Sequence, residues 1–465
     1  MKKRIVISHF LTVLLGIFSL AGANEEKNPL KVYILVGQSN MQGLALDTTI
    51  PAMAWDSVSR ELHDKFVDEA GKPKVYKDVQ VAAISQQGAW GAPVVDKEKT
   101  GPLTVGFGSS LTSDDRFGPE LGFGVTIIEH LNEPVLLIKT SWGGKSLHTD
   151  FRPPSGGPYY ESTAEVKDRK THKGEIITAE TQIAEKIEAT GKYYHLMADY
   201  VKKVLADPGK YHPAYDKTAG YEIGGFVWFQ GFNDMVGPYP VTQTADGKKG
   251  PKDYSLYSKL LASFIRDVRK EFEAPKMPFV IGVIGVGGKP DEPNVFRDAM
   301  AAPASLPEFE GNVVTVHTAQ YWDHQLGELV DRFKNVVTNK KPNSDDPYAD
   351  LRKKLATSIE AYNENEKLMR PVSNKLNLNK KKKVELSPEE LKETRDLQRK
   401  YGKQKKELEA QLRKSMFTEE EVKIMTVGKG SQAYHYLGSA KIYGRIGEAF
   451  ANAMAKLNGI ETNKK

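Results

Sequence analysis

Residues 32–43 read VYILVGQSNMQG, and this stretch decides the fold that the rest of the chain must build. Its first five residues are apolar and rich in β-branched side chains, which predicts a buried strand. Glycines on both sides of Ser39 permit a tight turn directly after that strand. Open α/β sheets bind ligands at the carboxyl ends of their strands. Ser39 is therefore a candidate nucleophile, with an ordinary helix N-cap as the alternative interpretation.

Five further short apolar runs also predict buried strands, and longer amphipathic patterns between them predict helices. The predicted strands are residues 32–36, 79–84, 135–140, 223–229, 279–286 and 313–318. The predicted helices are residues 122–131, 184–206, 254–272 and 438–457. Strands that alternate with helices indicate an α/β fold, with a mostly parallel sheet and helices on both faces.

Two insertions interrupt this pattern. Residues 145–180 are rich in Gly, Pro, Tyr and charge, and we interpret them as an ordered loop beside the site. Residues 326–425 are highly charged, and the run Ser387-Pro388-Glu389-Glu390 is typical of a helix start. The second insertion is predicted to be a charged helical hairpin. A solvated spacer is the favoured interpretation, with an arm for an unknown protein partner or a polyanion as the alternative.

The N-terminus predicts export. A basic Lys2-Lys3-Arg4 segment precedes an apolar run to residue 20 and the small residues Ala21-Gly22-Ala23. This pattern is typical of a signal peptide over residues 1–23, with an uncleaved anchor as the alternative. We therefore expect a periplasmic or secreted protein with no integral membrane span after cleavage. The predicted catalytic domain then comprises residues 24–325 and 426–465, and the insertion divides it.

Composition excludes several classes of function. The 465 residues include no cysteine, so disulfides, a thiol nucleophile and thiolate zinc sites are excluded. The formal charge is +6, of which the predicted signal peptide supplies three, leaving +3. That small excess does not suit a nucleic-acid binder, which normally concentrates basic residues on one face.

Three later segments supply the other parts of a serine hydrolase, which needs a base and donors for an oxyanion. Gly143 and Gly144 follow the strand 135–140 and can present backbone N–H groups, although a plain turn is the alternative. Asn233 follows the strand 223–229 and carries a neutral amide donor. His435 lies in a loop directly before the last helix, where a late catalytic base would sit.

Together these segments resemble the SGNH hydrolase superfamily, and within it the sialate O-acetylesterase and acetylxylan esterase group. The residues that carry the resemblance are the GQSNM block at 37–41, Gly143–Gly144, the GFND block at 231–234, the GPE segment at 118–120 and the late histidine. The resemblance implies a flavodoxin-like three-layer α/β/α sandwich, an O-acetylated carbohydrate substrate, and no metal or organic cofactor. It implies Ser39 as nucleophile and His435 as base, with oxyanion donors from Ser39, Gly144 or Gly143, and Asn233.

The chain departs from this group at one position. The superfamily usually has an aspartate three residues before the histidine, and here that position is Gln432. We expect a Ser-His dyad helped by a backbone carbonyl, with Asp323 as an alternative acid and weak activity as a third interpretation.

Substrate contacts are predicted from side chains beside these blocks, namely Gln38, Trp142 and Gln230. Aromatic faces for a sugar ring are offered by Trp90, Trp142, Tyr159 and Tyr160, with core packing as the alternative for each. The sequence thus predicts a carbohydrate O-acetylesterase. The competing hypothesis is a glycan-binding protein on an inactive scaffold, which would explain Gln432.

Overall fold

The computed structural model describes residues 28–87, 95–109, 111, 113–159, 166–170, 175–243, 247–338, 346–380 and 384–460. The predicted signal peptide, Trp90 and Tyr160 lie outside these ranges. Within them, every helix is too short or too polar to cross a membrane.

Thirteen strands follow one another along the described chain. They are β1 (Leu30–Gly37), β2 (Ala45–Leu46), β3 (Tyr76–Gln87), β4 (Val95–Leu103), β5 (Arg116–Phe117), β6 (Val135–Ser141), β7 (Arg169–Lys170), β8 (Ile176–Ile177), β9 (Tyr221–Phe229), β10 (Val241–Gln243), β11 (Lys249–Lys252), β12 (Phe279–Val283) and β13 (Val313–His317). Seven of them form one sheet in the order β13-β12-β9-β1-β6-β3-β4. The six predicted strands are its parallel members, and β4 pairs antiparallel with β3 at the edge.

Fourteen α-helices are described. They are α1 (Ser39–Gln42), α2 (Ser57–Phe66), α3 (Pro119–Leu131), α4 (Ala179–Glu188), α5 (Lys192–Ala206), α6 (Phe232–Val236), α7 (Ser255–Glu271), α8 (Val295–Ala301), α9 (His324–Thr338), α10 (Ala349–Lys354), α11 (Ala356–Lys380), α12 (Pro388–Met416), α13 (Glu419–Val427) and α14 (Ala440–Leu457). Longer 3-10 turns cover Asp47–Trp55 and Ala433–Gly438.

The sheet separates two hydrophobic cores, which confirms the predicted α/β sandwich. Side chains alternate along β1 because successive residues of a strand face opposite sides. Val32, Ile34 and Val36 join a core with α5 and α7, whereas Tyr33 and Leu35 join a core with α3 and α14. All five are at most 1% exposed, so β1 is covered on both faces.

The charged insertion is helical where it is described. Ser387 caps α12 through the predicted capping box, in which Ser387 and Glu390 exchange side-chain and backbone hydrogen bonds. The apolar sides of α9, α11 and α12 share a small core that includes Val336, Ile359 and Leu412. A second cluster joins α9 with α13 and the chain before it, through Leu329, Phe417 and Met425.

Because of their register, the central strands end at the same position along the sheet, with their carboxyl ends side by side. Gly37 at the end of β1 is paired with Ser141 at the end of β6 and with Phe229 at the end of β9. The segments that follow these three strands therefore meet at one edge of the sheet, and they are the segments that carry the predicted site.

Candidate active site

The nucleophile candidate opens α1 immediately after β1. Gln38 has extended backbone angles, and Ser39 is the first residue of the four-residue helix. Gly37 is needed because a Cβ there would lie 2.1 Å from the carbonyl oxygen of Phe229. The half-buried hydroxyl of Ser39 thus sits on a turn that is packed against β9.

The side chain of Gln38 ties this turn to the segment after β9. Its Nε2 donates to Oδ1 of Asn233 at 3.0 Å. Its Oε1 accepts from the backbone N–H groups of Gly231 and Asn233 and from Nε2 of Gln230, each at 3.2 Å. Both the oxygen and the nitrogen of the Gln38 amide therefore form hydrogen bonds, and these bonds fix α6 relative to α1.

Asn233 in turn reaches the segment after β6. Its Nδ2 donates to the carbonyl oxygen of Gly144 at 2.9 Å, while its Oδ1 is held by Gln38. Since an amide nitrogen carries two hydrogens, one N–H of Asn233 remains for another acceptor. Gly144 has a φ of 73°, a conformation that favours glycine.

Backbone donors face the same edge of the sheet. The N–H groups of Ser39, Gly143 and Gly144 donate no hydrogen bond within the described part of the chain. Together with the remaining N–H of Asn233, they form a set of neutral donors. Such donors can stabilise a developing oxyanion without competing for the proton that a base must take.

Asp234 fixes the loop that follows Gly144. Its buried carboxylate accepts from the backbone N–H groups of Leu147 and His148, from Nε2 of Gln230 and from the hydroxyl of Tyr239. Burial raises the pKa of Asp234 above its ordinary value, although all four hydrogen bonds favour the charged form. Asp234 therefore holds the loop after Gly144 in place.

The base candidate lies in a strained segment. His435 belongs to the 3-10 turn before α14, and the next two residues, Tyr436 and Leu437, have φ values of 48° and 59°. The buried hydroxyl of Tyr436 accepts from the N–H of Gly285 and lies 2.6 Å from Oγ1 of Thr318. These contacts hold a backbone conformation that non-glycine residues rarely adopt.

Two hydrogen bonds of Asn40, which together form the brace through Asn40, connect this segment with the turn that carries Ser39. The buried Asn40, next to Ser39, donates through Nδ2 to the carbonyl oxygen of Tyr434 at 3.3 Å. Its Oδ1 accepts from the hydroxyl of Tyr443 on α14 at 3.1 Å. Asn40 was not predicted as a site residue, although its position inside the GQSNM block was a signal.

No carboxylate contacts His435 among the described residues. Its Nδ1 lies 3.5 Å from Oγ of Ser431, and its ring makes no hydrogen bond with Ser39. Gln432 is exposed and contributes its backbone carbonyl, which accepts from the N–H groups of His435 and Leu437. The alternative acid, Asp323, instead caps α9 through Leu326 and pairs with Lys441 at 3.3 Å.

The surroundings of His435 keep its imidazole neutral. Burial, followed by the positive charge of Arg116, lowers the pKa of His435 to about 4. The ring is therefore unprotonated at neutral pH, which is the state that a general base requires.

A buried ion pair between Lys139 and Glu120 contacts the end of α1, the helix that begins at Ser39. Nζ of Lys139 on β6 lies 2.6 Å from Oε2 of Glu120 in the GPE segment, and both side chains are at most 1% exposed. The same ammonium donates to the carbonyl oxygens of Gln42 and Phe107. Burial lowers the pKa of Lys139 and raises that of Glu120, and their mutual attraction opposes both shifts.

Comparison with known proteins identifies the family. The model of a family described as carbohydrate esterase, sialic acid-specific acetylesterase, matches residues 29–329. The chain belongs to this family. It is therefore a carboxylic ester hydrolase that acts on carbohydrate. The match contains Ser39, Gly143, Gly144 and Asn233, and it ends before His435.

The solved structures similar to this esterase include a plant protein and a bacterial enzyme, and no curated protein matches. A protein from Arabidopsis thaliana is 16% identical, with a TM-score of 0.31, over 62% of this chain and 86% of its own. A carbohydrate acetylesterase from Xanthomonas citri is 14% identical, with a TM-score of 0.30, over 61% of this chain and 49% of its own.

The three side chains predicted to contact substrate are buried in the esterase. Gln38, Trp142 and Gln230 are at most 2% exposed, and Nε1 of Trp142 donates to Asp96. Gln230 bonds Gln38, Asp234 and the carbonyl oxygen of Lys145. Their burial argues against direct contact with a sugar, and we assign all three a positioning role.

Other side chains of the esterase line the open space beside the site. A groove of about 390 Å³ runs past Gly144 and Asn233 to His148 and Tyr239. The rings of Phe232 and Tyr434, which neighbour Asn233 and His435 in the chain, lie 5.6 Å apart, and Tyr434 is 44% exposed. This aromatic pair was not predicted, because its two members are about two hundred residues apart in the chain.

Proposed function

We propose that this carbohydrate esterase removes O-acetyl groups from its substrate through an acetyl-enzyme formed on Ser39. The observation that carries the proposal is the alignment of the carboxyl ends of β1, β6 and β9 at one edge of the sheet. It brings the segments that carry Ser39, Gly143–Gly144 and Asn233 to one edge of the sheet, where Asn233 donates to the carbonyl oxygen of Gly144. A nucleophile and neutral donors at one sheet edge are what acyl transfer requires.

In the first half-reaction, Oγ of Ser39 attacks the acetyl carbonyl carbon while His435 takes the hydroxyl proton. The carbonyl oxygen becomes an oxyanion and accepts from the N–H groups of Ser39, Gly143 or Gly144, and Asn233. The bond to the sugar oxygen then breaks, and the imidazolium of His435 gives its proton to that oxygen, which leaves as a sugar hydroxyl.

In the second half-reaction, water replaces the sugar. His435 accepts a proton from the water as its oxygen attacks the acetyl carbon, and the same donors hold the second oxyanion. The bond to Ser39 breaks, acetic acid leaves and ionises in water, and the imidazolium of His435 returns its proton to Oγ. The pKa of His435 is lowered to about 4, so its imidazole is unprotonated at neutral pH, although the same shift makes it a weaker base than an ordinary histidine.

We propose a Ser-His dyad, with Ser431 as the neighbour of Nδ1. An aspartate normally orients the histidine and stabilises the imidazolium. Here the strained turn at Tyr436 and the brace through Asn40 supply orientation. The stabilising charge has no counterpart in the described chain, which predicts a modest kcat.

The sugar is proposed to lie across the aromatic pair Phe232–Tyr434 and the groove beside Asn233, outside the cytoplasm. Exposed aromatic faces suit the apolar face of a sugar ring. The predicted signal peptide supports a periplasmic or secreted location.

Acetate release from p-nitrophenyl acetate and from a panel of acetylated polysaccharides tests the proposal. We expect activity in the wild type and its loss in Ser39→Ala. The matched control is Ser57→Ala, because Ser57 likewise opens a helix but is exposed on α2. Equal activity in wild type and Ser39→Ala would contradict the proposal, and binding of a glycan without any hydrolysis would favour the inactive binding scaffold.

A further inference from the structure

The solvent side of α12 carries a row of positive charge that the esterase site does not use. The helix contains nine Lys and Arg against six Asp and Glu. Five basic residues recur at intervals of three or four and are all exposed. This basic stripe consists of Lys392, Arg395, Arg399, Lys403 and Lys406.

Helix geometry places the basic stripe on one side of α12. At 3.6 residues per turn, these five positions fall within about a quarter of the helix circumference. With a rise of 1.5 Å per residue, the stripe is about 21 Å long and its charges are spaced by about 5–6 Å. The buried Thr394 and Leu412 lie outside this sector, on the side that packs in the hairpin.

Most of this charge is not neutralised. Arg399 lies 3.4 Å from Asp396 and Lys403 lies 4.0 Å from Glu407, and exposed pairs of this kind contribute little. In the described chain, Lys392, Arg395 and Lys406 form no ion pair. Moreover, Arg395, Arg399 and Lys403 are like charges four residues apart, a spacing that destabilises a helix. The six acidic residues of α12 all lie outside the quarter of the circumference that the stripe occupies.

The composition of the basic stripe indicates which class of polyanion it can bind. It contains no aromatic side chain, so nucleobases have no surface on which to stack. It also contains no large apolar side chain to enter a membrane interface, as lipid-binding helices do. A flexible polymer with a charge on each repeating unit requires only a row of cations, and the chain belongs to a family of carbohydrate esterases.

We propose that the basic stripe of α12 binds an anionic polysaccharide, one that carries carboxylate or sulfate groups along its length. Binding is electrostatic, so it weakens as salt is added. The surface is separate from the esterase site, and its occupation does not depend on acetyl transfer at Ser39. It would hold a polymer chain to the enzyme between successive encounters with the site.

The test uses the full mature chain with Ser39→Ala, so that no ligand is consumed. Isothermal titration measures binding to polygalacturonate and dextran sulfate, with neutral dextran of matched length as the uncharged probe. One variant replaces all five stripe residues by Gln. The matched control replaces five exposed lysines elsewhere by Gln and removes the same charge. These are Lys72, Lys77, Lys217, Lys259 and Lys276.

We expect binding to at least one anionic polymer, none to dextran, and weaker binding as NaCl is raised. The stripe variant should bind at least about tenfold more weakly, and the control within about twofold of the parent. Helical circular dichroism verifies that both variants fold. Absence of binding to both anionic polymers, or equal losses in the two variants, would overturn the proposal. Tighter binding to duplex DNA or phosphatidylglycerol vesicles would also overturn it.

Discussion

Gln38 shows how one buried amide can organise a site without touching substrate. It lies next to Ser39, yet its four hydrogen bonds all run to the segment after β9. Those bonds orient Asn233, whose Oδ1 is held so that Nδ2 faces Gly144. The donor that we assign to the oxyanion is therefore set by the residue before the nucleophile.

Replacing Asn233 by Ala should remove one oxyanion donor. Loss of such a donor typically lowers kcat by about 10²–10³ with little effect on KM, because the hydrogen bond strengthens only in the transition state. Steady-state hydrolysis of p-nitrophenyl acetate measures both constants. Asn452→Ala, on the exposed side of α14, is the control. A rise in KM with unchanged kcat would show instead that Asn233 binds the ground state.

The dyad can be tested at two positions that were candidates to orient His435. Gln432 is exposed and Asp323 is occupied by Lys441 and α9, so neither side chain reaches the imidazole. We expect kcat/KM of Gln432→Ala and Asp323→Asn to remain within about threefold of wild type, less than 1 kcal/mol in barrier. His435→Asn should lose nearly all activity. A large loss of kcat in folded Asp323→Asn would mean that Asp323 acts as the third member of a triad.

At the scale of elements, the predicted strands follow from hydrophobicity. Six apolar runs gave the six parallel strands because a doubly covered strand must be apolar throughout. The edge strand β4 was missed, since its sequence VDKEKTGPL is mostly polar and only its pairing with β3 makes it a strand. The predicted helix 184–206 is divided into α4 and α5 at Gly191, whose φ of 72° ends a helical path.

Only part of the candidate site could be predicted from the sequence. The glycines and Asn233 follow strands, so the parallel sheet places them together. The roles of Gln38, Trp142 and Gln230 could not be inferred, because a polar side chain in a motif looks the same whether it faces solvent or the interior. The brace through Asn40 joins residues about four hundred apart, a contact that no local pattern reveals.

The pair Lys139–Glu120 connects β6, α3 and the end of α1. Breaking a buried pair costs about 3–5 kcal/mol because it leaves an uncompensated charge, whereas replacing both partners costs less. We therefore expect Lys139→Met to lower the free energy of unfolding by that amount, and Lys139→Met with Glu120→Leu to recover part of it. Urea denaturation measures both. Lys289→Met, in an exposed pair with Glu292, is the control. Equal loss in the single and double variants would contradict this account.

At the scale of the whole molecule, the buried His148 and the half-buried His435 make stability depend on pH. Burial is the first cause that lowers the pKa of His148, and also that of His435, to about 4, against 6.5 for the free side chain. Between these values the unfolded chain binds more protons than the folded one, so the free energy of unfolding falls as pH is lowered from 6.5 towards 4. Urea midpoints across this range measure the slope.

The double variant His148→Gln with His435→Gln isolates that contribution. It should show a flatter dependence on pH than the wild type, whatever its stability at neutral pH. Parallel slopes in the two proteins would show that carboxylates, not these imidazoles, control acid unfolding.

The central claim is that Ser39 carries the acetyl group during turnover, and rapid acid quenching tests it most directly. Wild type mixed with excess p-nitrophenyl acetate is quenched within the first turnover, digested and analysed by mass spectrometry. We predict one acetyl group on the peptide that contains Ser39, and none on that peptide when His435→Asn protein is treated identically. Hydrolysis that proceeds with Ser39 unmodified, or with the acetyl group on another residue, would contradict the account.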